Sequence, residues 1–172
     1  MKKLETDRLV LRDWQVDDAV DCLVLWSNPE ITHAGWTMKN SMEEINAAMH
    51  VWQQEQDSWA ITLKDSGSVI GAIFLSDINR HSRYRELEYA IIEDQWNRGY
   101  ATEAVNAVLK HAFMEMELHI VAAACYDYNK RSIRVIEKCG FTYEGTLRKY
   151  SRNQSDSVRY SMLRDEWEQL HG

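Results

Sequence analysis

Hydrophobic and polar positions switch along this chain between a period near two residues and a period near 3.6, and the switches mark out its elements. Leu9 and Leu11 alternate with Val10 and Arg12, which predicts a first strand at about 8–14. Asp17 and Asp18 open a helix to about Trp26, and Asn28-Pro29 stops it. Ser41-Met42-Glu43-Glu44 reads as a capping box for a helix to about Gln56. Residues 59–63 read as a strand, Lys64-Asp65-Ser66-Gly67 as a turn, and 69–77 as a long apolar strand. Another strand follows at 86–92. From Gly99 onward, Ala101, Ala104, Val105, Val108, Ala112, Phe113 and Met116 form the buried stripe of a helix. A buried strand follows at 119–125. Asn129 then caps a short helix that ends at Cys139-Gly140. Strands at 141–150 and 158–163 close the chain. The predicted order is β-α-α-β-β-β-α-β-α-β-β, a mixed α/β (α+β) pattern. Three consecutive strands before the long helix form an antiparallel meander, unlike a repeating βαβ chain.

Composition narrows the function classes. The 172 residues are expected to form one domain spanning 1–172, with 45% hydrophobic residues to build its core. The formal net charge of −7 argues against a nucleic-acid binder, which needs a basic face, and suits a cationic substrate. Three cysteines, Cys22, Cys125 and Cys139, are widely spaced, and the histidines show no ligand spacing, so neither a disulfide scaffold nor a metal site is expected. No apolar run approaches ~18 residues, so no membrane span or membrane partner is expected. The start turns polar at once and is not expected to be a signal peptide, which makes the cytoplasm the expected location. The basic run Arg80-His81-Ser82-Arg83-Tyr84-Arg85 reads as a solvated hairpin tip.

The chemistry concentrates in residues 86–104, where an apolar strand runs into a turn containing Gly99 and an amphipathic helix begins at once. Such a strand–turn–helix gathers unpaired amide groups and a positive helix end at one point, which suits an anion, most naturally a phosphate. Gly99 permits a backbone geometry that a side chain resists, and the small Ala101 permits close approach. A plain glycine turn leading into a core helix gives the same pattern, so both readings stay open here.

Trp96-Asn97-Arg98-Gly99-Tyr100-Ala101-Thr102-Glu103-Ala104 resembles motif A of the GNAT superfamily of acetyl-CoA N-acetyltransferases. A second stretch agrees with the RimJ/RimL type of ribosomal-protein-alanine acetyltransferases. It runs from Asn129 and Ser132 through Glu137-Lys138-Cys139-Gly140-Phe141 to Glu144-Gly145 and Arg148. The opening Glu5-Thr6-Asp7-Arg8-Leu9-Val10-Leu11-Arg12 is similar to that branch's usual start. Two positions depart from the common pattern: Trp96, where the superfamily has Gln or Arg, and Asn97, where the branch often has Gly.

The resemblance implies a GNAT fold: a twisted, mixed, mostly antiparallel sheet with splayed central strands, flanked by helices. It implies acetyl-CoA as cosubstrate, with no metal. The pyrophosphate would rest on the amides of Arg98, Gly99, Tyr100, Ala101 and Thr102. The pantetheine arm would lie between the strand ending near Ile92 and the strand at about 120–126, pairing with backbone like an added strand. Asn129 would hold that arm through its amide. Arg98, Lys130, Arg131 and Arg134 could meet the phosphates by charge.

Acyl transfer to an amine needs three things: a proton removed from the amine, an oxyanion donor, and a proton for the departing thiolate. The resemblance implies Glu86 as base, directly or through water, and a backbone N–H near Ile91 or Ile92 as oxyanion donor. It assigns Ser132 as the residue that protonates the thiolate. Each has a plainer alternative. Glu86 and Glu88 share one face of their strand and could form a solvated edge, and Ser132 could simply bind CoA or satisfy the first turn of its helix. Tyr126 and Tyr128 could line the thiol end or merely pack. Trp36 could wall an acceptor pocket.

The expected acceptor is a primary amine, either the N-terminal α-amine of a protein such as a ribosomal protein or a small amine. A homodimer is compatible with this reading. The alternative from another class is a noncatalytic acyl-CoA-binding sensor or interaction module, which would keep the Gly99 loop and need neither Glu86 nor Ser132.

Overall fold

The computed structural model describes residues 3–55, 57–77 and 83–172. The chain runs β1 (Leu4–Glu5), β2 (Leu9–Arg12), α1 (Ala19–Trp26), α2 (Glu30–His33), α3 (Met42–Gln54), β3 (Ser58–Leu63), β4 (Val69–Ser76), β5 (Tyr84–Ile91), α4 (Tyr100–Met114), β6 (Ile120–Tyr126), α5 (Lys130–Lys138), β7 (Thr142–Leu147), β8 (Ser157–Leu163) and α6 (Arg164–His171). The eight strands hydrogen-bond in the order β1-β2-β3-β4-β5-β6-β8-β7. β1 with β2, β2 with β3, β3 with β4, β6 with β8 and β7 with β8 pair antiparallel, and β5 pairs with β6 in parallel. This is the mixed α/β GNAT fold expected from the motifs. Among the described residues, no helix is long and apolar enough to cross a membrane.

Contacts gather the chain into two units, Met1–Phe74 with Tyr89–Ala107 and Leu75–Glu88 with Val108–Gly172. In the first, the two leucines of β2 are fully buried while Val10 and Arg12 are half-exposed, as their alternation predicts. The acidic pair after it opens a 3-10 turn at Val16–Asp18 rather than an α-helix. The cause is the Asp18 carboxylate, which turns back to accept from the Gln15 amide and from both terminal nitrogens of Arg12, each at 2.8 Å. This pairing raises the Arg12 pKa, the Asp18 hydrogen bond outweighing the opposing effect of burial.

Ser41 caps α3 as expected, its hydroxyl accepting from Glu44 N–H at 3.2 Å. The Glu44 carboxylate returns to Asn40 N–H, one residue before the position a capping box uses. The predicted end of this helix at Gln56 lies outside the described residues.

Five aromatic rings knit this unit's core: Trp14, Trp26, Trp36, Trp52 and Phe74, with neighbouring centroids 4.6–6.4 Å apart. Pairs at such separations add about 0.5–1.5 kcal/mol each beyond their burial. Trp36 packs its ring against Trp26 and Phe74 within this cluster.

Gly71 in β4 has a steric role. A Cβ there would run into the Ala90 carbonyl oxygen of β5, so only glycine lets the two backbones approach this closely.

In the second unit, β6 and β8 pair over seven residues, from Ile120↔Leu163 to Tyr126↔Ser157. The last predicted strand but one is shorter than its pattern suggests, ending at Leu147. Gly145 sits at φ 151° where the register with β8 shifts, and Lys149 turns at φ 54°, which ends pairing. The C-terminal helix α6 was absent from the predicted order. It follows β8 without a linker residue, and its buried Trp167 stacks on His171 and packs against Phe113. Of the basic run at Arg80–Arg85, Arg80, His81 and Ser82 lie outside the described residues. Arg85 meets Asp77 at 3.5 Å, and Arg83 lies 3.2 Å from the His119 ring.

Candidate active site

In the first unit, the strand–turn–helix is built by a short run of unusual backbone. β5 ends at Ile91, and a 3-10 turn at Glu93–Gln95 follows. The Trp96 indole N–H reaches back to the Ile91 carbonyl at 2.7 Å and ties the turn to the strand end. Asn97 then adopts φ 59° and Gly99 φ 82°, both left-handed. Asn is among the few residues with a side chain that visit this region readily, which explains how it stands where the motif often has Gly. At Gly99 a Cβ would meet only Arg8 Nη2, at an ordinary 3.4 Å, so the demand for glycine is one of dihedral angle rather than space.

Helix α4 begins at Tyr100, and its first regular bond runs from Glu103 N–H to the Gly99 carbonyl at 3.0 Å. The amides of Gly99, Tyr100 and Ala101 precede that bond and lack an intrahelical acceptor. Ile92 N–H donates to the Ile70 carbonyl at 2.8 Å, so it is already engaged. Backbone N–H groups alternate between strand edges, which directs that of Ile91 to the other edge of β5.

Behind this loop lies an ion-pair network. The Glu103 carboxylate accepts from the Thr6 hydroxyl at 2.5 Å, from Arg8 N–H at 2.9 Å and from Arg8 Nε at 2.7 Å. Burial pushes the Glu103 pKa up, but these hydrogen bonds and the Arg8 charge outweigh it and hold the carboxyl below its usual range. The sequence offered Thr6, Arg8 and Glu103 only as motif letters. Their meeting joins positions more than ninety residues apart, which no local pattern displays.

The second unit carries the remaining candidates. β5 pairs with β6 from Tyr84↔Ile120 to Leu87↔Ala123, and the ladder ends there although β6 continues to Tyr126. Glu86 is registered with Ala122, and Arg159 of β8 with Ala124, which places both on one face. Arg159 Nη1 lies 3.5 Å from Glu86 Oε1, and its guanidinium sits over the Tyr150 ring at 5.2 Å. Tyr84 joins them: burial and the neighbouring Glu86 push its phenol pKa up, and Arg159 opposes. Glu88, two residues on, accepts from the Ser76 hydroxyl at 3.0 Å. Arg159 was missed in the sequence because its pairing with Glu86 crosses the sheet. The available signal was a lone arginine alternating with Val158 and Tyr160.

Cys125 faces the opposite side of β6, and there it hydrogen-bonds with the Ser132 side chain. Burial raises the Cys125 pKa to about 11 against that bond. The Asn129 side-chain oxygen accepts from Ser132 N–H at 3.2 Å, so Asn129 caps α5. Ser132 and Glu86 thus address opposite faces of the sheet. Lys130 Nζ donates to the Asp127 carbonyl at 2.7 Å. Tyr126 and Tyr128 pack on each other with centroids 5.2 Å apart. Cys22, Cys125 and Cys139 form no disulfide, and no cluster of three His, Cys, Asp or Glu able to hold a metal ion occurs among the described residues.

Comparison with known proteins bears on the whole chain. A family model described as an acetyltransferase (GNAT) domain matches residues 8–142. The chain is 34% identical over 155 residues to the uncharacterized N-acetyltransferase YoaA of Bacillus subtilis, covering 86% of each chain. Its fold is similar to that of a GNAT-family acetyltransferase from Bacillus anthracis, with a TM-score of 0.87, 24% identity, and coverage of 95% of this chain and 99% of that one. It is also similar to spermidine N-acetyltransferase from Vibrio cholerae, solved in complex with CoA and spermine, with a TM-score of 0.81, 22% identity, and coverage of 94% and 99%. With the glycine-turn motif, the GNAT sheet and a family match over most of its length, this chain belongs to the GNAT acetyltransferases and is an acetyl-CoA-dependent N-acyltransferase.

Proposed function

We propose that the protein is of the RimJ/RimL type and moves the acetyl group of acetyl-CoA onto a primary amine, the N-terminal α-amine of a protein or a small amine. The observation that carries this reading is the left-handed Gly99 at the start of α4, with the amides of Gly99, Tyr100 and Ala101 ahead of the first helical bond. This cradle fits a pyrophosphate, with Arg98 and Thr102 flanking it. The bound cosubstrate supplies an activated thioester. In the second unit, the β6 edge that has no β5 partner beyond Ala123 offers backbone groups to the pantetheine arm. In the first unit, the Ile91 amide serves as the donor to the thioester oxygen. Asn129 spends its side-chain oxygen on the helix cap, which leaves its amide nitrogen as the atom to donate to that arm.

The residues on the two faces of β6 divide the proton work. Glu86 accepts the proton that the amine must lose, directly or through a water, and Arg159 orients its carboxylate. Ser132, on the opposite face, gives a proton to the sulfur that departs. The nitrogen bonds to the carbonyl carbon from one direction and the sulfur leaves it in another, and opposite faces suit that requirement. Holding both reactants in place supplies much of the rate.

The test is a panel of peptide N-termini and small amines incubated with acetyl-CoA, followed by thiol release and by the mass gained on the acceptor. Acetylation of at least one amine, lost in Glu86→Gln, is expected. Cosubstrate binding with no thiol release for any amine would overturn the proposal.

A further inference from the structure

Arg8 makes three contacts around the glycine loop that the motif comparison does not explain. Its Nη1 donates to the Arg98 carbonyl at 3.0 Å. Its guanidinium lies over the Tyr100 ring, 4.5 Å from the centroid. Its Nε and Nη2 hold the Glu103 carboxylate at 2.7 and 2.6 Å. These three partners bracket Gly99 on both sides, and Arg8 Nη2 is the nearest atom to the place a Gly99 Cβ would occupy.

Peptide planarity gives the first contact its meaning. In a trans peptide the C=O and the following N–H point in opposite directions. Fixing the Arg98 carbonyl on Arg8 therefore also fixes the direction of the Gly99 N–H. Glycine is the residue at which such a peptide flips most cheaply, because neither hand of φ is penalised. A loop that needs glycine for its φ of 82° is thus exposed to losing the orientation of the amide it presents. An external donor on the carbonyl removes that freedom, and the Glu103 pair and the Tyr100 ring hold the donor itself in place.

We propose that Arg8 is a positioning residue for the cosubstrate: it locks the Arg98–Gly99 peptide so that the Gly99 amide stays turned toward the pyrophosphate. This rests on the reading of the loop as the pyrophosphate cradle. Arg8 acts through the peptide, and its own charge is taken up by Glu103.

Two donors separate this role from a structural one. Acetyl-CoA carries the pyrophosphate, whereas S-acetylpantetheine carries the same thioester without it. Arg8→Gln removes the charge and the fork. Arg8→Lys keeps the charge for Glu103 but cannot also span to the Arg98 carbonyl. For both variants kcat/KM with acetyl-CoA is expected to fall about tenfold, equivalent to about 1.4 kcal/mol. The loss should appear in KM, with kcat at saturation and kcat/KM for S-acetylpantetheine within twofold of the parent. Arg8→Lys should melt within about 2 °C of the parent.

An equal loss with both donors, or no loss with either, overturns the positioning role while leaving the cradle standing. A parent enzyme that shows no preference for acetyl-CoA over S-acetylpantetheine overturns the cradle and the positioning role together.

Discussion

Gly67 and Gly99 form a matched pair for testing the glycine loop. Both adopt left-handed φ, 73° and 82°, and neither site is crowded: nothing lies within 4 Å of a Cβ at Gly67, and only Arg8 Nη2 at 3.4 Å lies near one at Gly99. Alanine at either position therefore meets no clash, and its cost is the left-handed conformation itself, about 1–2 kcal/mol. For a chain of this length that is a fall in Tm of about 2–8 °C. The two variants should lose similar stability. They should differ in CoA affinity, because Gly67 closes the turn between β3 and β4 while Gly99 presents its own amide at the start of α4. Thermal unfolding, with calorimetric titration of CoA well below the Tm, reads both quantities. Gly67→Ala should bind CoA as the parent does, and Gly99→Ala should bind it at least tenfold more weakly. Equal CoA affinity in the two variants, with equal loss of Tm, would refute the phosphate role of the loop. An unchanged Tm in both would refute the conformational reasoning.

Four further outcomes follow from the second unit. Glu86→Gln keeps the shape of the side chain and removes the base, so kcat/KM with the true acceptor should fall about 10²–10⁴-fold while CoA affinity holds; a fall under threefold would pass the role to Glu88 or to water. Ser132→Ala should lower kcat at saturating cosubstrate with CoA Kd and Tm nearly unchanged, because the helix cap belongs to Asn129; Asn129→Ala should instead cost about 1 kcal/mol of stability. Burial raises the Cys139 pKa from 9.0 to about 12, so between these values the folded chain keeps a proton that the unfolded chain releases. Stability from this thiol is complete below pH 9 and is lost as pH rises toward 12, at up to about 1.4 kcal/mol per pH unit, and Cys139→Ala should flatten that alkaline slope in a denaturant titration.

Local signals in the sequence settled the motif and most element types, though not the short β1 and α2 or the C-terminal α6. The alternation of Leu9 and Leu11, the Ser41 cap, the stripe from Ala104 to Phe113 and the Asn129 cap each depend on neighbours within four residues, and each sits in the structure as its pattern implies. At the two ends of that predicted stripe, Ala101 is only partly buried and Met116 lies beyond the end of α4, also partly buried. The Gly99 turn was legible for the same reason, since left-handed backbone followed by an apolar helix is written in consecutive letters. What tertiary structure decided lies between distant segments. Apolar periodicity says which face of a strand is buried but not which strand lies beside it, so the parallel pairing of β5 with β6 and the end of that ladder at Leu87↔Ala123 were not readable. Polar partners are less legible still, because a charged residue on a half-exposed face satisfies the same pattern with or without a partner. Arg159 reached Glu86 only once β8 lay beside β6, and Arg8 reached the Arg98 carbonyl and Glu103 only once β2 and α4 had folded into one unit. The motif thus named the loop, and the distant arginines became part of its account only through the fold, because a hydrogen bond depends on distance in space rather than along the chain.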